Sequence, residues 1–220
     1  MQFWTVPRCF EGRTVAVLAS GESMTQAQAD AVHAAGVPAI AINSTFRLAP
    51  WAWMLYGADP EWWEHKENAA ARNSAGIKAT CSTFGPNCKV EGLRYLRHTG
   101  RSGFDPDPSA VRTGGNSGYQ ALHIAVHTGA ARVLLLGMDM EGCHWHGRHP
   151  EGLKVTTRDT FESWIARFDD LAVELRRRGV DVVNLAPAGR LNCFRRGRLE
   201  DELATAGDAQ RAHEADTAAG

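Results

Sequence analysis

The chain has 220 residues, 44% of them hydrophobic, and its 24 Lys and Arg against 25 Asp and Glu leave a formal net charge of −1 with a sequence pI near 6.8. That length bounds the protein to one large domain or two small ones, and the balanced charge supplies no global field to draw it onto nucleic acid or a membrane surface. Five scattered cysteines (Cys9, Cys81, Cys88, Cys143, Cys193) without a CxxC pair fit reduced thiols better than a disulfide framework.

The opening MQFWTVPRCF has neither the charged nor the apolar region of a signal peptide. No apolar run approaches the roughly 18 residues of a spanning helix, so the sequence predicts a cytoplasmic protein with no membrane partner. TVAVLAS (14–20) reads as a buried strand. After the turn GES, MTQAQADAVHAAG reads as a helix with Met24, Ala27, Ala31 and Ala34 or Ala35 near one face and Gly36 as its stop. VPAIAIN (37–43) is a second strand, which makes the opening a βαβ unit with a parallel pair. MLYGAD (54–59) gives a third strand ending on Asp59, and PEWWEHKENAAARN a helix behind it with Pro60 in the first turn. IKATC (77–81) and KVEGLRYL (89–96) are weaker strands. From 97 to 118, Gly, Pro, Ser and Asp replace any apolar period, the mark of a long functional loop.

SGYQALHIAVHTGA then supplies a helix and ARVLLLGMD a central strand. A histidine-rich loop, GCHWHGRHPEG, precedes RDTFESWIARFDDLAVELRRRG, where Phe161, Trp164, Ile165, Phe168, Leu171, Ala172 and Leu175 recur at three and four and Gly179 ends the helix. VDVVNLA (180–186) is the last strand. Residues 200–220 are polar and alanine-rich, a tail expected to fray beyond a single domain over 1–199. The alternation predicts an α/β protein with a doubly wound, mostly parallel Rossmann-like sheet and helices on both faces.

Ligands of such sheets sit off the carboxyl ends of the strands, and the candidate residues gather there. In ASGES (19–23), Gly21 permits a tight turn, while Ser20, Ser23 and the free amides of the helix start suit phosphate oxygens. The plain alternative is that Ser23 or Thr25 caps the helix. In TGGNSG (113–118), Gly114 and Gly115 permit close backbone approach, Asn116 and Ser117 offer side-chain donors, and Gly118 removes a Cβ beside the helix start. Thr113 or Ser117 would equally serve as a cap. Two small polar helix starts on one sheet suggest one nucleotide touching both.

The loop MDMEGCHWHGRHP places His144, His146 and His149 after Asp139. It reads as a general acid or base, as a metal site of His-x-His with Asp139 and Cys143, or as a solvated loop. Magnesium would instead seek Asp59 and Asp139, with His144 a weaker metal candidate. Trp62, Trp63 and His65 read either as a surface for stacking a base or sugar or, for the tryptophans, as core. FRRGR (194–198) reads as a phosphate contact or a solvated surface.

SGES after the first strand, Asn43 at the second, GGNSGYQALHIAVHTGAARVLLLGMDM and NLAPAGRLNCF resemble Rossmann-like proteins grouped with the bacterial sialyltransferases of glycosyltransferase family 42. They also resemble the domain-of-unknown-function family 115, which includes 6-hydroxymethylpterin pyrophosphokinases. With LAPWAWMLYGAD and HWHGRHPEGL, the pattern over about residues 10 to 196 is similar to proteins of tailed phages and prophages. The resemblance implies that Gly21 and Ser23 match a Gly-Asn-Gly-Pro-Ser turn in which Glu22 replaces the proline. Asn43 matches an asparagine facing the nucleotide, and Thr113 to Gly118 a loop around cytidine and ribose. His149 or His146 is the nearest match to a catalytic histidine. The leaving-group tyrosines have no clear counterpart among Tyr56, Tyr95 and Tyr119, which argues against CMP-sialic acid as donor. The expectation is a nucleotide-dependent, glycosyltransferase-like transferase of phage origin, acting in the host cytoplasm on a sugar, nucleobase or DNA. Its cofactors would be a nucleotide or nucleotide-sugar donor, with Mg2+ as an option. A magnesium-dependent pyrophosphokinase, a nucleotide hydrolase and a non-catalytic nucleotide-binding protein are the alternatives.

Overall fold

Short β-branched and apolar runs that are buried on both faces pair side by side in a computed structural model, which describes residues 3–147 and 156–206. The strands are β1 (Thr14–Leu18), β2 (Ala39–Ile42), β3 (Met54–Tyr56), β4 (Ile77–Ser82), β5 (Arg94–His98), β6 (Ala110–Val111), β7 (Arg132–Leu136), β8 (Asp181–Asn184) and β9 (Arg195–Arg196). They form one sheet in the order β6-β5-β4-β3-β2-β1-β7-β8-β9, and every pairing is parallel. The chain lays strands outward from β1 to β6, then returns to place β7 on the other side of β1. That reversal makes the carboxyl ends of β1 and β7 the switch point of the sheet, where such sheets form the crevice that they use for ligands.

Alternate strand residues feed two cores. Val15, Val17, Ile40, Ile42, Met54, Tyr56, Val133 and Leu135 face α3 (Ser117–His127) and α4 (Arg158–Arg177). Ala16, Leu18, Ala39, Ala41, Leu55, Leu134 and Leu136 face α1 (Gln26–Ala34), α2 (Pro60–Glu64) and the 3-10 helix Lys66–Asn73. α1 begins at a capping box in which Thr25 and Gln28 satisfy each other's backbone amides. The expected doubly wound α/β sheet is therefore present, and wholly parallel rather than mostly so.

Several boundaries differ from the sequence reading. PEWWEHKENAAARN is not one helix. His65, with ψ 136°, breaks it, and the Arg72 guanidinium donates to the carbonyls of Trp63, Glu64 and His65 that the break leaves open. β5 starts at Arg94 rather than at 89, and the segment 97–118 contains β6. Residues 199–206 are helical rather than frayed. Glu202, 8% exposed, joins Arg195 there, Arg195 pairs with Asp181, and Asp181 pairs with Arg132. The rest of the expected tail, 207–220, lies outside the described residues. The arginines of the FRRGR cluster stay exposed but are paired within the chain: Arg195 belongs to that network, and Arg196 donates to the carbonyls of Ala186, Ala188 and Gly189.

Candidate functional site

The turn after β1 is built on β7. Gly21 N–H donates to Gly137 O at 2.9 Å, and a Cβ on Gly21 would stand 2.1 Å from Asp139 Oδ2 and 2.3 Å from Gly137 O. Only glycine fits. Two residues on, Ser23 N–H donates to Asp139 Oδ2 at 3.2 Å. Asp139, 7% exposed, is held in turn by Gly189, whose own Cβ would meet the Asp139 carbonyl oxygen at 2.4 Å, and by Arg190 N–H donating to that oxygen at 2.8 Å. The carboxylate expected to be catalytic or metal-binding is thus the clamp that shapes the turn.

The histidine loop closes over the same turn. Ser20 O accepts from Trp145 N–H and from His144 Nδ1, both at 3.1 Å. A carbonyl only accepts, so His144 carries its proton on Nδ1, and burial, opposed by this bond, lowers its pKa and keeps the ring neutral at pH 7. His146 stacks on it, centroids 5.2 Å apart and planes within 6°. Trp145 Nε1–H donates to Thr45 Oγ1 at 3.2 Å, and the Thr45 hydroxyl in turn donates a hydrogen bond to Ala19 O at 3.1 Å. His149 lies outside the described residues.

On the next strand end stands Asn43, with φ 49°; among the described residues only it and Met140 (φ 56°) adopt positive φ without being glycine. Both flank the β1/β7 crevice, at the ends of β2 and β7. Backbone strain of this kind concentrates at functional positions. Asn43 Oδ1 and Ser23 Oγ are buried atoms without a hydrogen-bond partner among the described residues, although buried polar atoms are nearly always paired.

The glycine-rich entrance to α3 divides its duties. Asn116 is the cap, its Oδ1 accepting from Gly118 N–H at 2.8 Å and Tyr119 N–H at 3.1 Å, so this oxygen is committed to the helix rather than offered to a ligand. Gly118 lies against Met138, with 2.5 Å from a hypothetical Cβ to Cε, which brings the start of α3 to the end of β7. The Gly115 N–H is also taken up, by Thr113 Oγ1 at 3.4 Å, which leaves the Ser117 hydroxyl as the donor this loop offers. α4 adds two residues that the sequence reading missed: Arg167 donates to Gly114 O at 2.7 Å, and both Arg167 and Trp164 Nε1 border Gly115. Their spacing of three on one amphipathic helix was the available signal.

Other expectations do not assemble. Trp63 is fully buried and donates to Gly57 O at 2.9 Å, so it is core. His65 serves the break after α2, its Nδ1 accepting from Glu67 N–H at 3.3 Å. Asp59, exposed just after β3, keeps its place on the carboxyl edge. It cannot share an ion with Asp139, because β2 and β1 intervene and three strand spacings come to roughly 14 Å. Among the described residues no three His, Cys, Asp or Glu side chains converge for a metal. All three phenols are also engaged, Tyr56 with Gln120, Tyr95 with Cys88 O and Tyr119 with Gly103 O. A groove of about 660 Å3 lined by Glu64, Arg72, Lys78, Lys89 and Glu91 contains none of the site residues. Arg72 is committed there as described, and Lys78 donates to Arg72 O.

No family model matches the chain, and no curated protein does. Among solved structures it is similar to the MAf glycosyltransferase of Magnetospirillum magneticum AMB-1, with a TM-score of 0.60 at 13% identity. The likeness covers 96% of this chain and 39% of that one. The shared property is the fold: a Rossmann-like α/β sheet of the kind found in a glycosyltransferase. No helix among the described residues is long and apolar enough to cross a membrane.

Proposed function

We propose that the chain is a nucleotide-dependent, glycosyltransferase-like transferase with its donor in the β1/β7 crevice. The observation that carries this reading is Asn43, held in a left-handed conformation with its Oδ1 unmatched, one strand from the equally unmatched Ser23 Oγ. Strain and unpaired buried polarity both cost stability, and a ligand that supplies hydrogen bonds to both atoms offsets them.

In this reading Ser23 Oγ, Asn43 Oδ1 and the Ser117 hydroxyl contact the nucleotide, while Gly21, Gly115 and Gly118, whose amides are paired within the protein, and the cap Asn116 shape the turns around it. The acceptor hydroxyl attacks the donor's anomeric carbon. The new C–O bond forms as the bond to the donor phosphate oxygen breaks, and the nucleotide leaves with that electron pair. The proton passes to an imidazole, His146 or His149. Where the donor needs Mg2+, Asp59 is the carboxylate that would hold it, and the ion would supply neutralisation of the charge on the leaving phosphate. A sugar, a nucleobase or DNA of a phage or its host in the cytoplasm is the acceptor class we favour. Pyrophosphoryl transfer is less well supported, because Asp59 and Asp139 stand too far apart to hold one metal.

A second reading, a nucleotide-binding module without turnover, is favoured by one observation: Asp139 is committed to the Ser23 turn. Chromatography of nucleotide sugars incubated with the protein separates the two. Release of free nucleotide, accelerated by an acceptor, supports transfer. Release without acceptor dependence indicates hydrolysis, and tight binding with no release indicates the binding module.

A further inference from the structure

Beside the donor crevice, the carboxyl edge carries an aromatic ring that nucleotide binding does not use. Phe84 is 97% exposed, whereas the other exposed large apolar residue among those described, Val173, is 40% exposed and lies on α4. Phe84 sits in the turn directly after β4, two strand spacings or roughly 10 Å from the end of β2 that bears Asn43. Its neighbours are polar. Thr83 Oγ1 and His98 Nδ1, from the ends of β4 and β5, stand 3.4 Å apart, and Phe84 N–H donates to Ser82 Oγ at 3.4 Å. Asp59 ends β3, between Phe84 and Asn43 in strand order.

We propose that Phe84 is the stacking platform of an acceptor subsite for a pyranose sugar, with Thr83, His98 and Asp59 as its polar rim. The inference rests on the transferase reading above. A pyranose has one face of C–H groups and a rim of hydroxyls, and is matched by a single aromatic face bordered by hydroxyl, imidazole and carboxylate groups. A protein partner is the poorer match. A stable interface buries about 800 Å2 per partner around an apolar centre, and here the apolar surface is one ring. The roughly 10 Å to Asn43, the nearer end of the proposed donor site, also leaves room for a donor sugar pointing along the edge toward β3 and β4.

The test is saturation-transfer-difference NMR of the whole protein with a panel of methyl pyranosides, comparing wild type, Phe84→Ala and Phe84→Trp. Because the side chain is solvated, all three forms melt together without ligand. The expected result is saturation of ring protons on one face of at least one glycoside in the wild type and Phe84→Trp, reduced fivefold or more in Phe84→Ala. Undiminished saturation in Phe84→Ala overturns the proposal. So does a dimer in sedimentation that depends on Phe84, which would assign the ring to a second copy of the chain. A nucleotide-induced melting shift, measured on the wild type in parallel, separates the two levels of inference. A shift without glycoside saturation overturns the subsite alone, and neither signal overturns the transferase reading with it.

Discussion

The Asp139 carboxylate accepts the backbone N–H of Ser23 at 3.2 Å across 116 positions of sequence, and this bond joins the first strand's turn to the end of β7. It makes the phosphate-loop candidate a rigid feature of the sheet rather than a free loop. Asp139→Ala leaves the Ser23 amide without its acceptor and is expected to lower the unfolding free energy by about 1–3 kcal/mol, with Asp139→Asn, which keeps an oxygen, costing less. Urea titrations check the order. Equal losses would show that the negative charge, not the acceptor, is what matters.

Gly21 is the other half of that clamp. Its Cβ would fall within 2.3 Å of the Gly137 carbonyl oxygen, a backbone atom that cannot rotate away. Gly21→Ala is expected to cost at least the roughly 1–3 kcal/mol of an overpacked core, again by urea titration. Gly36→Ala meets nothing within 4 Å but takes the left-handed φ of 66°, so it isolates the conformational cost alone.

Acid sensitivity should centre on His123. Its Nε2 accepts from Asp105 N–H at 3.3 Å and its Nδ1 donates to Tyr119 O at 3.4 Å, a pattern only the neutral ring satisfies. Burial pushes its pKa from 6.5 down to about 3, helped by His127 and Arg112 and opposed by the Tyr119 carbonyl and Asp105. The unfolded chain therefore takes up the proton first. Stability is complete above the unfolded pKa of 6.5 and declines as pH falls toward 3, by at most about 1.4 kcal/mol per pH unit from this group. His127, also lowered chiefly by burial, acts in the same direction. Denaturation measured from pH 7 to 4 should show a shallower acid limb in His123→Gln than in the wild type; an unchanged slope would remove His123 from the account.

Glu202 docks the C-terminal helix. It is buried and paired with an Arg195 side chain that is 44% exposed, so Glu202→Ala should cost about 1–2 kcal/mol rather than the 3–5 of a fully buried pair. Hydrogen exchange at 199–206 should accelerate while exchange in β1 and β7 stays slow.

The strands that decided the fold were legible because each is a run buried on both faces: TVAVL, AIAI, RVLLL and DVVN. β6 and β9, two residues each, have no period to read. The break at His65 depends on Arg72 reaching back to three carbonyls, a tertiary event invisible to propensity. The carboxyl-end rule located the candidate site, but it could not apportion roles. Asn116 caps, Asp139 clamps and Trp63 packs, and each duty is fixed by a partner remote in sequence or by a neighbouring turn that only the folded chain defines.

Asn43 offers the most direct measurement. Glycine adopts φ 49° without steric strain and leaves no unmatched oxygen, gains that offset its larger loss of chain entropy, so Asn43→Gly should be as stable as the wild type or more so, by up to about 1 kcal/mol. Thermal shift of both proteins against nucleotides and nucleotide sugars, with and without Mg2+, tests whether that strain serves a ligand. The expected result is a shift in the wild type with one nucleotide class, lost in an Asn43→Gly protein whose own melting point has not fallen. No shift in the wild type across the panel, or an identical shift in Asn43→Gly, would contradict a nucleotide site at the β1/β7 crevice.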